Sequence, residues 1–200
     1  MSGLGEEHQG HEGDAADAGA TPFRVVSERT VWTGLRITLA MRDIVAPDGS
    51  HYEREVVHHP GAVGVVPLHA DGTVTLVRQY RAALDRTLWE VPAGLRDVEG
   101  EDPAANAARE LAEEAGLEAG TLEHLITFHN SPGFCDEAVV IYLATDLSEV
   151  PVDRQSIEEQ HMEVARVPLA EVLAMVDDGR ITDAKTVIAL LATDRRRAGG

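Results

Sequence analysis

Residues 94–117, GLRDVEGEDPAANAARELAEEAGL, constrain the fold of this chain most, because they predict both a helix and its two ends. Asp102 is a suitable N-cap and Pro103 suits the first helical position. Gly116 suits the position that follows the last turn. The alanine-rich segment between them favours helix formation. We therefore predict a helix over residues 104–115.

The predicted helix carries three glutamates on one face. Glu110, Glu113 and Glu114 are three and four positions apart, so they project from the same side of the helix. Like charges at this spacing repel one another, and a hard divalent cation such as Mg²⁺ or Mn²⁺ would turn the repulsion into binding. A solvated acidic helix surface is the alternative interpretation. Arg109 can pair with Glu113 and orient its carboxylate.

The same stretch matches a known motif in the identity and spacing of its residues. The matching positions are Glu101, Arg109, Glu110, Leu111, Glu113, Glu114, Gly116 and Leu117. They resemble the Nudix box, whose usual form is G-x5-E-x7-R-E-U-x-E-E-x-G-U, where U is an aliphatic residue. The chain departs from this form once, since six residues rather than five separate Gly94 from Glu101. The extra residue falls in a loop, where an insertion costs little.

The Nudix resemblance implies a metal site that clamps a diphosphate. By this likeness, Glu110, Glu113 and Glu114 are the metal ligands. Glu101 is a supporting or additional metal carboxylate. Arg109 is the catalytic residue that orients Glu113. The cofactor implied is Mg²⁺, with Mn²⁺ as the alternative.

Composition excludes several classes of function. The formal net charge of −18 argues against nonspecific binding to nucleic acid or acidic membranes, which requires a basic surface. No apolar run reaches the roughly 18 residues of a membrane span, and the N-terminus lacks the regions of a signal peptide. The single cysteine, Cys135, allows no disulfide within the chain. We therefore expect a cytoplasmic protein without nucleic-acid or membrane partners.

The pattern along the chain predicts four segments. Residues 1–20 are acidic and poor in large apolar side chains, which predicts a disordered tail. Residues 21–57 alternate as strands do, and they predict a small antiparallel sheet. Residues 58–194 predict an α/β (α+β) domain in which helices cover a mixed sheet. The Nudix resemblance implies that this domain is an α/β/α Nudix sandwich. Residues 195–200 are expected to be a frayed basic tail.

The N-terminal sheet has too few core residues to be stable alone. We therefore expect it to dock on a partner subunit in a homodimer, and an exchange of the sheets between subunits is one way to do so. Trp32 in this segment is either an aromatic packed in a core or interface, or a stacking surface for a base. The sequence favours packing.

Three further stretches resemble the ADP-ribose pyrophosphatase branch of the Nudix family. They are Arg54-Glu55-Val56-Val57 with HPGAV and the later Arg78-Gln79-Tyr80-Arg81, the loop SPGFCDE, and the segment GRITDAKTVIALL. The resemblance implies that Arg54 and Arg81 contact the diphosphate or the terminal ribose phosphate. It makes Trp32 a candidate for stacking on adenine, across a dimer if the N-terminal sheets are exchanged.

The loop SPGFCDE supplies the remaining candidates for substrate contact. Pro132 occupies the place where this branch carries a proline, and Gly133 follows it. Glu137, with Asp136, either contacts ribose or stabilises the loop. The sequence favours the role in loop structure.

The activity implied by the branch is hydrolysis of ADP-ribose to AMP and ribose 5-phosphate by a metal-activated water. In this branch the general base is a glutamate on a loop before the last strand. The resemblance therefore implies Glu158 or Glu159 for this role, with Glu158 favoured. Another nucleoside diphosphate sugar, such as GDP-mannose, is the alternative substrate. A Nudix module that senses ADP-ribose without cleaving it is the alternative from a different class.

Overall fold

The structure is a computed structural model that describes residues 22–152 and 161–199. Its strands are β1 (Arg24–Thr33), β2 (Thr38–Val45), β3 (His51–His58), β4 (Ala62–Pro67), β5 (Thr73–Arg81), β6 (Arg86–Glu90), β7 (Ala93–Leu95), β8 (Leu117–His129), β9 (Ala138–Glu149) and β10 (Glu163–Pro168). Its helices are α1 (Pro103–Ala115), α2 (Leu169–Asp177) and α3 (Ala184–Ala198). The predicted tail over residues 1–20 and the candidate bases Glu158 and Glu159 lie outside the described residues.

The N-terminal segment forms the predicted antiparallel sheet. Its strands lie in the order β1-β2-β3, and both pairings are antiparallel. Every residue of β1 is exposed. Trp32 is 55% exposed, which excludes a core position in this chain, while packing in an interface and stacking on a base stay predictions. Its ring instead lies against the backbone of Gly34, where an added Cβ would come within 2.2 Å of the indole.

A four-stranded sheet in the order β7-β4-β9-β8 forms the centre of the domain. β4 and β9 run parallel, while β7 and β8 pair antiparallel to their neighbours. A second sheet has the order β10-β5-β6. The predicted mixed sheet is therefore confirmed.

Helices cover both faces of the central sheet, because alternate residues of β4 point to opposite sides. Val63 and Val65 pack in one buried cluster with Ala107 and Leu111 of α1. Val66 belongs to another cluster, which also contains residues of α2 and α3 such as Leu169, Val172, Ala189 and Leu190. This arrangement confirms the α/β/α sandwich.

Helix α1 begins and ends where its sequence predicts. The Asp102 side chain accepts hydrogen bonds from the backbone N–H groups of Ala104 and Ala105, at 2.8 and 3.3 Å. Gly116 has φ 65°, a left-handed conformation in which glycine lacks the steric penalty of other residues. Both ends of the helix are thus fixed by local contacts.

The C-terminal boundary differs from the sequence-based expectation. The predicted frayed tail is wrong for residues 195–198, since α3 continues through the three arginines to Ala198. Arg196 donates to Glu123 Oε2 and to the carbonyl of His124, both at 3.3 Å, which anchors this part of the helix on β8. β9 extends to Glu149. No helix in the described part of the chain has the length and apolar character needed to cross a membrane.

Candidate active site

A cleft of about 850 Å³ lies where α1, β5, β7 and the start of α3 meet. Among the residues that the structure describes, six acidic and four basic side chains line it: Asp97, Glu110, Glu113, Glu114, Glu137 and Asp183 against Arg36, Arg81, Arg109 and Lys185. The acidic side chains are in excess. An anionic ligand in this cleft would therefore need additional positive charge.

The predicted metal-ligand glutamates lie together at one side of the cleft. We call Glu110, Glu113 and Glu114, with Arg109, the carboxylate end. Glu114 is only 4% exposed, and its Oε2 accepts a hydrogen bond from the Ala93 N–H at 2.9 Å. This contact joins the helix to β7 and holds Glu114 at the floor of the cleft.

Gly94 provides the space that Glu110 occupies. A Cβ added at position 94 would come within 2.0 Å of Glu110 Cδ, far closer than two packed atoms can approach. Only a residue without a side chain fits there while Glu110 keeps this position. The glycine at the start of the box therefore meets the helix directly, despite the extra residue in the loop that follows it.

Arg109 lies among three carboxylates. Its Nη1 is 2.8 Å from Glu110 Oε1 and 3.0 Å from Glu113 Oε2. Partial burial opposes the charged form of Arg109, but hydrogen bonding to Glu101 and the charges of Glu110 and Glu113 outweigh burial and raise the pKa of Arg109. A permanent cation thus holds these two helix carboxylates close to each other.

Glu101 lies beside Arg109 and is not among the residues that line the cleft. Its Oε2 accepts from Asn106 Nδ2 at 2.6 Å, and its two oxygens lie 3.4 Å from Arg109 nitrogens. The hydrogen bonds from Asn106 and Arg109 lower the pKa of Glu101, since they favour its ionised form. In this position Glu101 can orient Arg109, while its predicted role as a metal ligand stays a prediction.

The donor set at the carboxylate end suits a hard divalent cation, because carboxylate oxygens are the ligands that Mg²⁺ and Mn²⁺ prefer. Glu110, Glu113 and Glu114 would hold it. Among residues 22–152 and 161–199, no three His, Cys, Asp or Glu side chains are arranged around a common point as a metal site requires. Arg109 lies between the glutamates of this group, so their side chains must rotate to share one ion.

Arg81 belongs to a second charged group, drawn from three separate elements. Its Nε and Nη2 donate to the two oxygens of Glu90, at 2.7 and 2.5 Å. Lys185 also donates to Glu90 Oε2 and lies 3.0 Å from Asp183 Oδ2. We call Arg81, Glu90, Asp183 and Lys185 the strand end of the cleft. Its two positive and two negative charges balance.

The strand end is tied firmly to the fold. Glu90 is fully buried. Asp183 caps α3, since its Oδ2 accepts from the Thr186 N–H at 2.9 Å and from the Thr186 hydroxyl at 2.6 Å. The Thr186 hydroxyl in turn accepts from the Val91 N–H at 3.0 Å, next to Glu90 in the chain. The start of α3 is therefore fixed against β6.

The loop after β8 brings one of its predicted residues into the cleft. Glu137 lines the cleft, and its Oε2 accepts from Asn130 Nδ2 at 3.0 Å. Pro132 and Gly133 are exposed and do not line the cleft. Asp136 accepts from the His59 N–H at 2.8 Å and lies 2.6 Å from His58 Nδ1, which gives it a role in loop structure.

Two predicted substrate contacts lie outside the cleft of their own chain. The Arg54 guanidinium stacks over the Tyr52 ring, 4.4 Å from its centroid, on the N-terminal sheet. Trp32 lies on the exposed strand β1 of the same sheet. Neither residue lines the cleft.

Sequence reasoning missed several residues that line the cleft, among them Arg36, Gln79, Asp183 and Lys185. It also missed Glu90, the buried partner of Arg81. One of them carried a signal. Lys185 is the only lysine in an acidic chain, and it follows the N-cap Asp183 closely. Glu90, the last residue of β6, carried no signal in the sequence that would connect it to Arg81.

Comparisons with known proteins identify the family. The model of the NUDIX domain matches residues 58–190. An ADP-ribose pyrophosphatase of Mycobacterium tuberculosis is 42% identical over 85% of this chain and 82% of its own length. An ADP-ribose pyrophosphatase of Bacillus subtilis is 38% identical over 84% of this chain and 90% of its own length.

A solved structure shares the fold. It is described as the crystal structure of an ADP compounds hydrolase, and it superposes with a TM-score of 0.79 at 24% identity over 92% of this chain and 98% of its own. The Nudix resemblance of residues 94–117 is thus confirmed by the domain match and by the relatives. The chain belongs to the Nudix family.

Proposed function

We propose that this protein hydrolyses the diphosphate of ADP-ribose in the presence of Mg²⁺, giving AMP and ribose 5-phosphate. The proposal is carried by the cleft that holds all three box glutamates together with Arg81 and Lys185. Two relatives with 42% and 38% identity are named for this activity. Another nucleoside diphosphate sugar, such as GDP-mannose, is the rival substrate.

The acidic excess of the cleft accounts for a metal requirement. When bound by Glu110, Glu113 and Glu114, Mg²⁺ or Mn²⁺ supplies the positive charge that offsets the diphosphate oxygens and makes a water molecule more acidic. Arg109 keeps Glu110 and Glu113 close to each other in the free protein, and their side chains rotate away from these contacts to share the ion. Glu158 or Glu159 takes the proton from the attacking water.

The substrate residues divide between two subunits in this proposal. Arg81 and Glu137 line the cleft of their own chain, whereas Arg54 and Trp32 would reach a substrate from a partner. A homodimer would also cover Val25, Val31 and Trp32, which are large apolar side chains exposed on β1. We propose such a dimer, located in the cytoplasm.

Product analysis after incubation of the purified protein with Mg²⁺ tests the proposal, with ADP-ribose, GDP-mannose and UDP-glucose as parallel substrates. We expect AMP and ribose 5-phosphate from ADP-ribose at the highest rate. The double variant Glu113→Gln/Glu114→Gln should form neither product. Glu118→Gln makes the same chemical change at an exposed residue of β8 and should keep full activity.

The outcomes separate the alternatives. Faster cleavage of GDP-mannose or UDP-glucose would retain the chemistry and replace the substrate. Saturable binding of ADP-ribose without turnover of any compound would instead support the sensor. Equal activity in the double variant would contradict the role given to the helix glutamates.

A further inference from the structure

Gln79 of β5 combines deep burial with a place in the cleft. The residue is 6% exposed, yet it lines the cleft. Its Nε2 atom is buried and has no hydrogen-bond partner among the described residues. A buried amide nitrogen without a partner destabilises a folded protein, and native structures contain few of them. A ligand could therefore supply the hydrogen-bond partner that the Gln79 amide nitrogen lacks.

The surroundings of Gln79 are those of the strand end. Residues 79 and 81 project from the same face of β5, since alternate residues of a strand share a face. Both oxygens of Glu90 are already engaged by Arg81 and Lys185. The carboxylate at this end is thus occupied by two cations. The buried amide nitrogen of Gln79, two residues before Arg81 on this face, is the donor that remains without a partner among the described residues.

We propose that Gln79 is a substrate-binding residue whose carboxamide donates a hydrogen bond to an oxygen of the nucleotide sugar at the strand end. This inference rests on the proposed function. The oxygen belongs to a phosphate or to a ribose hydroxyl, and both accept hydrogen bonds. A hydroxyl also satisfies the carboxamide if its oxygen and nitrogen are interchanged, because a hydroxyl both donates and accepts.

Gln79→Met separates this role from a structural one. Methionine keeps the length of the side chain and removes the amide, so the unpaired group disappears from the free protein. We expect the Tm to rise by a few degrees while the KM for ADP-ribose rises about tenfold, as for the loss of one ligand hydrogen bond. A glutamine that only supports the fold would instead lower the Tm when replaced.

Thr75→Val is the matched control on the same face of the same strand. Thr75 is 4% exposed, and its Oγ1 lies 2.8 Å from His69 Nε2, so its polar group has a partner within the protein. Its replacement should lower the Tm and leave the KM unchanged. The two variants should therefore change Tm in opposite directions, and only Gln79→Met should change KM.

Calorimetric titration with AMP and with ribose 5-phosphate identifies the oxygen. The compound that binds Gln79→Met about tenfold more weakly than wild type carries it. Unchanged affinity for both compounds, or a Tm below that of wild type, would overturn the inference. If wild type does not cleave ADP-ribose, the proposed function fails, while the Tm and the two titrations still decide the role of Gln79.

Discussion

The two ends of the cleft differ in how the chain builds them. The carboxylate end comes from one helix, with all four of its charged residues between positions 109 and 114. The strand end takes Arg81 from β5, Glu90 from β6, Lys185 from α3 and Asp183 from its N-cap. The first gathers three negative charges around one arginine, whereas the second balances its charges. The carboxylate end therefore has an excess of negative charge that a cation would offset, whereas the charges of the strand end offset one another.

This difference predicts different consequences of mutation. Like charges that the fold holds close together repel one another and lower its stability. Removing one of them at the carboxylate end should therefore reduce activity without lowering stability. A buried, balanced group destabilises the protein when one partner is removed, because the other charge is then left without compensation. Changes at the strand end should therefore appear first in stability.

The largest expected effect is at Glu114. Glu114→Gln removes a proposed metal ligand, and we expect kcat to fall on the order of 1,000-fold. The Tm should change little, because the glutamine carbonyl can still accept from the Ala93 N–H. Steady-state kinetics and thermal unfolding measure the two effects. Activity close to wild type would show that Glu114 is not a ligand.

Glu90→Gln should show the reverse. It leaves Arg81 without its counter-charge and Lys185 with Asp183 alone, and we expect the free energy of unfolding to fall by about 2–4 kcal/mol. This loss is at the lower end of the range for buried ion pairs that lose one partner, because the Arg81 side chain is 39% exposed to water. Urea denaturation measures it. Glu53→Gln, which breaks an exposed pair with Arg29, should cost less than about 1 kcal/mol.

The comparison also shows what the sequence could predict. Spacing alone predicts that the three glutamates of the carboxylate end share a face, since helix geometry fixes this, and the Nudix resemblance implies their place in a site. The register that sets Val77 opposite Glu90, and the approach of α3 that delivers Lys185, depend on contacts between distant segments. The same limit explains the error at Arg195–Arg197, because the anchoring of Arg196 on β8 is not visible locally.

Trp32 shows a related limit. A large aromatic in an alternating strand predicts packing, but the sequence does not say whether the covering surface belongs to the same chain. The structure excludes a core position in this chain. The roles of Arg54, Glu137 and Trp32 toward substrate stay predictions.

Substitutions at two glycines sharpen the comparison within the domain. Gly94→Ala meets the end of the flexible Glu110 side chain, which can move aside. We expect kcat/KM to fall about tenfold and the free energy of unfolding to change by less than about 1 kcal/mol. Gly64→Ala meets Ile141 Cδ1 in the core at 2.8 Å and should destabilise by about 1–3 kcal/mol. Equal losses of stability would contradict this distinction.

The smallest expected effect is the loss of stability when the Asp183 side chain no longer carries its charge. Burial raises the pKa of Asp183, but the Lys185 charge and the hydrogen bonds of Thr186 outweigh it and lower that pKa overall. A lowered pKa stabilises the fold above the ordinary aspartate value near 4, and this contribution is lost as the pH falls through the lowered value. We expect Asp183→Asn to be less stable than wild type by about 1 kcal/mol at pH 7.

Urea denaturation across pH gives the test of Asp183. The gap between wild type and Asp183→Asn should stay constant from pH 8 to pH 5 and shrink below about pH 4. Asparagine remains a good N-cap, so the gap reports the charge rather than the cap. A gap that persists at pH 2 would contradict the assignment.

The parallel pairing of β4 with β9 also governs how the protein folds. Ala62 lies opposite Val139, so the centre of the sheet forms only after the chain between them, including α1, has been brought back on itself. The entropy lost on closing such a long loop comes before the stabilising contacts between β4 and β9 form, and this slows folding. The glutamates of α1 belong to a helix that can form early, but the cleft around them requires this late step. Catalytic activity should therefore return during refolding only with the slowest formation of the sheet, well after helical structure.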